Sequence, residues 1–583
     1  MTLTSLAEFS KFAVREYLQT AVFIDDNIYT LDTARPASPS EIAVRELQPI
    51  FVEEGIVDER RSEDEKEAAL PERPPFRTKD LVGSFAEYGI VCALYEPEPD
   101  FSTGEESVVF KLCETADLVI LDWDFHEVGV EGTKPKSLIE NLIKSGNSVA
   151  PHHMRLMVIY TNTLNLHFVS NSIYEHLRGR GYNPEPVGTS GFRLRAGSSR
   201  ILVLGKDGIR RAADQESFTI KESKLAERLL QEFSDMNAGI LPSYALHGLA
   251  AIRRNSKRIL DRFHGDMNGA FLLHRALSME SEDVFDQLPA LLSEELLAVL
   301  EDTSLDAASV SAIASNAVDL LQVRSAPITW HYPGGKQFPL ANDGIEETVL
   351  KELLAKGRID RRNHPDIHQL EGLPDSGFRG INSNLMRDFL AMVDTKDIKS
   401  NEQLALLFNS RTQYRETTRN LYYGTIIRRR EVMIDGSSWV YSFCMMPICD
   451  CIRLDQTAQC QAEKAIQFPF WELRDDVFSP SEVSRRGLVV KLPNGSYKIL
   501  SAGGKSRDRF WVHGFQANKS TGTVTATRNE HGQYMFLSNE TLEIEWIGEL
   551  KSLHSQRIAH DIGQSLSRVG LVEAEWLRLL CDR

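Results

Sequence analysis

The 583-residue chain has only seven cysteines, an odd number scattered along its length, so a disulfide framework is not expected to hold it together. No apolar run approaches the roughly 20 residues that cross a bilayer, and no membrane partner is expected. The N-terminal stretch MTLTSLAEFSKFAVREYL mixes charges into its apolar residues. It is expected to be an amphipathic first helix and not a signal peptide, and the expected location is cytoplasmic. Positive charge is in deficit: 66 Lys and Arg stand against 83 Asp and Glu, a net charge of -17. Broad binding to a phosphate backbone needs clustered cations, so nucleic acid is not the expected partner. Two local basic runs, RRNSKR at 253–258 and RRR at 428–430, are read as solvated faces. The chain also lacks a P-loop, a Gly-x-Ser-x-Gly elbow, a His-Glu-x-x-His pair and a glycine-rich nucleotide fingerprint.

What is present is a regular alternation. Short apolar runs at AVFIDDNI (21–28), IVCALY (90–95), LVILD (118–122), RLMVIYT (155–161) and ILVLGK (201–206) read as strands. Helical segments separate them: VVFKLCETA, SLIENLIKSG and LHFVSNSIYEHLRGRG, the last stopping at glycine. Five strands alternating with helices over some 210 residues predict a parallel sheet covered on both faces. A polar, Pro- and charge-rich stretch at about 31–80 predicts an acidic insertion after the first strand, with one helix at EIAVRELQPIFVEE.

The length predicts two to four domains. Residues 213–420 are expected to be helical, with ESKLAERLLQEFSDM, SYALHGLAAIRRNSKRILDRF, EELLAVLED and EETVLKELLAKG as the clearest cases. Residues 421–550 are expected to be β-rich, a small antiparallel barrel or sandwich, and 551–583 a helical tail with Ile558, Ile562, Leu566 and Val569 on one face. The fold class is therefore multidomain: α/β, then α, then β.

In a parallel sheet of this kind the ligand site lies at the carboxyl ends of the strands. There the sequence places Asp25 and Asp26 after strand one, Asp122 after strand three, Thr161 at the end of strand four and Lys206 at the end of strand five. Clustered carboxylates repel, and a hard divalent cation such as Mg2+ relieves the repulsion while leaving positions for water and phosphate oxygens. A carboxylate beside such a cation can act as a nucleophile toward phosphorus. Thr161 could donate to a phosphoryl oxygen and Lys206 could neutralise its charge.

The set FIDDN, LVILDWD, VIYT and LGK resembles the receiver domain of two-component response regulators. The resemblance covers about 210 residues and implies a flavodoxin-like receiver over 1–212, with a five-stranded parallel sheet and the insertion after strand one. It implies that Asp26 and Asp122 ligate Mg2+ directly, that Asp25 acts mainly through water, and that Asp124 contributes its backbone carbonyl. It makes Asp122 the acceptor of a phosphoryl group from a partner histidine kinase, with Thr161 and Lys206 completing the site. The pattern departs from the family in several places. Phe125-His126 stands where Met-Pro is usual, Asp207 where proline usually follows the lysine, and Val203 at the aromatic switch position. Enlarged receivers of this kind look like those of the Detocs type of bacterial anti-phage two-component system. There one receiver protein carries a nucleotide-destroying effector and another competes for phosphate.

The resemblance implies a phosphoacceptor that regulates, or competes for phosphate in, a bacterial defence pathway, with a second receiver protein as a further partner. No enzymatic activity is expected beyond receiver phosphorylation and dephosphorylation. The alternative is an effector whose C-terminal half carries an enzymatic or nucleic-acid-binding output without a recognisable motif. Cys444, Cys449, Cys451 and Cys460 do not have a zinc-ligand spacing and are read as buried thiols. His152 and His153 are read as loop residues, and His247 as a structural helix histidine rather than a phosphotransfer group.

Overall fold

Runs such as Thr20–Ile24 and Leu118–Leu121 have no polar face, so they can only lie inside a sheet covered on both sides. The computed structural model describes residues 3–28, 78–125, 132–149, 154–277, 283–317, 321–323, 329–331, 337–339, 347–356, 393–395, 400–413, 418–433, 436–452, 454, 465–475, 487–502, 510–518, 521–537 and 542–566. The chain divides into two units, Met1–Ala317 and Val318–Arg583.

In the first unit the strands are β1 (Thr20–Ile24), β2 (Val91–Tyr95), β3 (Leu118–Leu121), β4 (Arg155–Thr161), β5 (Glu185–Pro186), β6 (Arg193–Ala196), β7 (Ser199–Lys206) and β8 (Thr219–Ile220). They form one sheet in the order β2-β1-β3-β4-β7-β6-β5, with β8 paired to the end of β7. The pairs from β2 through β7 are parallel. This is the expected five-stranded parallel sheet. The sequence did not announce the antiparallel β5–β6 hairpin and β8, which extend the sheet beyond β7. The chain leaves β1 for β2 on one side and then crosses to β3 on the other. The carboxyl ends of β1 and β3 therefore flank the crevice where the winding reverses.

The helices are α1 (Leu6–Tyr17), α2 (Thr78–Ala86), α3 (Val108–Thr115), α4 (Thr133–Val149), α5 (Leu166–Gly179), α6 (Glu222–Met236), α7 (Ile240–Arg262), α8 (Asn268–Leu277), α9 (Asp283–Asp286), α10 (Leu288–Asp302) and α11 (Ala307–Ser315). α1 starts where sequence says it should: Ser5 accepts from the Glu8 N–H, and the Glu8 carboxylate returns to the Thr4 N–H. α1, α2, α6 and α7 pack together as one layer, and α3, α4 and α5 as another. One apolar core runs through the sheet into both layers, reaching Phe9 and Val14 of α1, Leu229 and Phe233 of α6, Leu246 of α7 and Ile313 of α11. The helix expected near residues 41–54 lies outside the described residues.

The second unit contains short strands β9 (Leu321–Val323), β10 (Thr329–His331), β11 (Gln337–Pro339) and β12 (Val393–Thr395), and helices α12 (Glu347–Lys356) and α13 (Ser400–Asn409). Its main feature is an eight-stranded antiparallel sheet. The members are β13 (Arg419–Asn420), β14 (Thr425–Met433), β15 (Gly436–Cys444), β16 (Ile466–Leu473), β19 (Phe510–Phe515), β20 (Thr525–Arg528), β21 (Tyr534–Phe536) and β22 (Ile544–Glu549). The sheet order is β13-β20-β21-β22-β14-β15-β16-β19, and among the described residues no hydrogen bonds close it into a barrel. It does roll: Phe515 on the last strand meets Phe536, five strands away, with ring centroids 5.9 Å apart. One face encloses Phe468, Phe470, Phe515 and Ile544. The other carries Tyr441, Phe443 and Trp471 under the β17 (Gly487–Lys491) and β18 (Tyr497–Ser501) hairpin and the terminal helix α14 (Ser552–Leu566), which docks through Ile558 and Ile562.

The basic runs are solvated faces only in part: Arg254, Lys257, Arg258 and Arg430 are exposed, while others are drawn into contacts. Arg253 of α7 pairs with Asp117 at 3.0 Å and donates to the Tyr17 carbonyl, and Arg254 pairs with Glu16. Arg428 is buried on Glu545 at 2.7 Å and lies over Trp439, while Arg429 pairs with Glu472 and lies over Trp511. These arginines are held by carboxylates and aromatic rings of their own unit. Asp117 is a junction: it accepts from the Gln19 and Thr20 N–H groups, the Thr20 hydroxyl and Arg253, tying the starts of β1 and β3 to α7. Asp117→Asn should destabilise the first unit by about 2 kcal/mol, the usual value of hydrogen bonds to a charged group. Urea denaturation followed through that unit's transition measures it.

Candidate functional site

The crevice at the carboxyl ends of β1 and β3 is acidic because both strands run directly into aspartates. Asp25 and Asp26 follow β1, and Asp122 follows β3. All three side chains are buried, and one carboxylate oxygen from each lies within 4.8 Å of the others. Lys206, the last residue of β7, reaches between them: its Nζ donates to Asp25 Oδ2 at 2.6 Å and to Asp122 Oδ1 at 2.9 Å. The remaining oxygens are partly held by local backbone. Asn27 N–H donates to Asp25 Oδ1, the Asn27 amide to Asp26 Oδ1, and Asp124 N–H to Asp122 Oδ2 at 3.1 Å.

Three carboxylates share this buried crevice with the ammonium of Lys206. Burial, and then the nearby Asp122, push the Asp25 carboxyl above its ordinary value despite the opposing pull of Lys206. Burial alone would lower Lys206, but Asp122 and Asp25 outweigh it and hold its proton more firmly than usual. The donor set is three hard carboxylate oxygens, with no histidine or thiolate among them. That chemistry suits a hard divalent cation. The cluster can therefore coordinate a divalent metal. Among the described residues it is the one group of three or more candidate ligands.

Thr161 ends β4 beside Gly205 of β7 and is fully buried. Its hydroxyl pairs with the Thr163 hydroxyl at 2.9 Å and accepts from the Thr163 N–H at 3.0 Å. The structure thus brings Asp25, Asp26, Asp122, Thr161 and Lys206 to one edge of the sheet. Asp124 lies in the turn after Asp122. The departures from the receiver pattern have local causes. Phe125 is buried edge-on against Phe101, with centroids 5.3 Å apart. Asp207 donates its N–H to the Ile220 carbonyl of β8 at 3.2 Å, a bond that proline at this position could not make. Val203 is a core residue of β7. His126, His152 and His153 lie outside the described residues.

Two residues next to this edge carried no signal in the sequence. Arg211 is buried and donates to the backbone carbonyls of Lys206, Thr161 and Thr163. Gly205 leaves room for it, since a Cβ there would fall 2.5 Å from Arg211 Cζ. A Gly before the strand-end lysine and an Arg pair at 210–211 were visible, but neither pattern says where the guanidinium goes.

Elsewhere, His247 is buried against Phe9 and Phe12, with Nε2 3.0 Å from the Thr303 carbonyl. Cys444 and Cys451 are buried thiols, Cys451 donating to the Met446 carbonyl at 3.6 Å, and burial raises Cys444. Cys460 and the Cys449 side chain lie outside the described residues.

Residues 17–211 match the family model described as a response receiver domain. No curated protein and no solved structure matches the chain. The N-terminal part of the chain is a response-regulator receiver domain. No helix among the described residues is long and apolar enough to cross a membrane.

The raised Asp25 carboxyl gives a pH dependence with a definite sign. The folded, metal-free site holds this proton more tightly than the unfolded chain does. Its contribution to stability is therefore present at low pH and is lost as pH rises from the ordinary aspartate value through the raised one. In EDTA, wild type should lose stability across that window. Asp25→Asn should flatten the slope, and a divalent cation should flatten it in wild type. Denaturation midpoints at stepped pH, with and without metal, measure all three.

Proposed function

We propose that the N-terminal domain is a Mg2+-dependent phosphoacceptor and that Asp122 takes a phosphoryl group from a partner histidine kinase. The observation that carries this is Lys206 lying across Asp25 and Asp122, with Asp26 in the same carboxylate cluster. In this reading Asp26, Asp122 and the Asp124 carbonyl would hold the ion, and Asp25 would act on it through water. Bound there, Mg2+ supplies charge neutralisation for the carboxylates and for the phosphoryl oxygens.

A carboxylate oxygen of Asp122 attacks the phosphorus of the phosphohistidine. An O–P bond forms, the N–P bond breaks, and its electron pair stays on the leaving imidazole ring. Lys206 keeps its proton and pairs with the phosphoryl oxygens in place of an Asp122 oxygen. The Thr161 hydroxyl, which now pairs with Thr163, turns to donate to another phosphoryl oxygen. The added charge at the ends of β3, β4 and β7 is the signal passed to the rest of the chain.

We also place the protein in a bacterial defence pathway, as a regulator or competitor for phosphate of the Detocs type. This rests on the resemblance of its receiver to enlarged receivers of that type. The ion pairs that hold Arg253, Arg254, Arg428 and Arg429 favour this over a nucleic-acid-binding output.

Intact mass of the full chain, after incubation with Mg2+ and a small phosphoryl donor, tests the phosphoacceptor. One phosphoryl adduct is expected on wild type and none on Asp122→Ala or in EDTA. Failure with the small donor and also with a cognate kinase would sink the reading. A phosphate competitor, added to a kinase and a second receiver, should slow labelling of that receiver, and Asp122→Ala should not.

A further inference from the structure

The carboxylates of the cluster follow β1 and β3, which pair directly with each other. Thr161 and Lys206 are the last residues of β4 and β7, after which the chain turns into loops. A guanidinium closes this end. Arg211 Nη1 donates to the Lys206 carbonyl at 2.7 Å, Nη2 to the Thr161 carbonyl at 3.0 Å, and Nε to the Thr163 carbonyl at 3.1 Å. The fork thus donates to three backbone carbonyls at this corner of the sheet, and its planar geometry fixes their spacing. Gly205 makes the approach possible.

The same segment is tied to the loop after β4 by side chains. Gln215 accepts from the Leu166 N–H at the start of α5, and Asp214 pairs with His167 at 2.7 Å. Thr219, which begins β8, lies 3.4 Å from Arg211 Nη1. The loop after β7 and the loop after β4 are therefore one hydrogen-bonded body.

We infer that Arg211 is a positioning residue for phosphoryl transfer: it holds the backbone of Thr161 and Lys206 so that their side chains meet the phosphoryl group on Asp122. It touches neither metal nor phosphoryl group and acts through the two residues it clamps. The inference rests on the phosphoacceptor reading. It separates two properties that a merely structural arginine would not. Loss of the clamp should slow transfer and leave the carboxylate cluster's hold on Mg2+ nearly unchanged. A displacement of about 1 Å in positioning groups costs on the order of 10²-fold in rate.

The test uses the full chain as wild type, Arg211→Ala, Arg211→Lys and Gly205→Ala. Phosphoryl incorporation from a small phosphoryl donor is followed by intact mass over donor and Mg2+ concentration. The expected result is a fall of about 10²-fold in the maximal rate for Arg211→Ala, with half-saturating Mg2+ within about threefold of wild type. Gly205→Ala, which pushes the guanidinium away, should behave the same, and Arg211→Lys should recover part of the rate. Added guanidinium at low millimolar concentration should partly rescue Arg211→Ala. In a Thr161→Ala, Lys206→Met background, Arg211→Ala should have little further effect, because the residues it serves are gone.

An Arg211→Ala rate equal to wild type would overturn the proposal. So would equal losses in rate and Mg2+ affinity, or a full additive loss in the double-variant background. If wild type takes no phosphoryl group from the donor or from a kinase, the phosphoacceptor reading has failed, which is a separate result.

Discussion

An ammonium buried between two carboxylates is the constraint around which the first unit is organised. Lys206 contacts Asp25 and Asp122 at ordinary salt-bridge distances, and Asp26 belongs to the same cluster. Burying ions costs several kcal/mol, and such arrangements gather at functional sites. The donors here are hard carboxylate oxygens, the kind that a divalent cation takes. The strands carry the acids to this point because β1 and β3 are paired and end together at the crevice where the winding reverses.

The departures from the familiar receiver pattern are explained by what the edge strand does. β7 is not the end of this sheet: β6 pairs along its body and β8 along its last two residues. β8 is held by the Asp207 N–H and the Tyr160 hydroxyl, both donating to the Ile220 carbonyl. A backbone donor is therefore needed after the lysine. Val203, facing the core in a strand with neighbours on both sides, fills space and has no room to swing. The end of β7 is therefore tied by hydrogen bonds to β8 and to the loop after β4. Arg211 sits at that junction.

Much of the receiver was legible before any coordinates. Continuous apolar runs of four to eight residues predicted β1, β2, β3, β4 and β7, and helical spacing predicted α6 to the residue, Glu222–Met236. In the second unit Asn494-Gly495 forms the turn of the β17–β18 hairpin, with Gly495 at φ +82°, a position that glycine takes without strain. Other elements were hidden for physical reasons. β14 contains three consecutive arginines and reads as a surface segment. It is a central strand only because Glu545, Glu472, Trp439 and Trp511 come from other strands to neutralise and cover them. β16 carries a proline at 469, which argues against a central strand from sequence alone. The two-residue strands β5 and β8 are too short to show any period.

The sequence by itself determined which segments are buried strands, which are amphipathic helices, and which residues stand at the strand ends. Apolar period and strand-terminal acids are local properties, set within a few residues. Only the tertiary structure decided that Lys206 would reach an acid 181 residues away and another 84 residues away, and that Arg211 would turn back onto the carbonyls of β4 and β7. Those contacts depend on strand order and on the space left by a single glycine. A guanidinium that binds backbone carbonyls takes no particular side chain as its partner, and so leaves no pattern in the sequence to find.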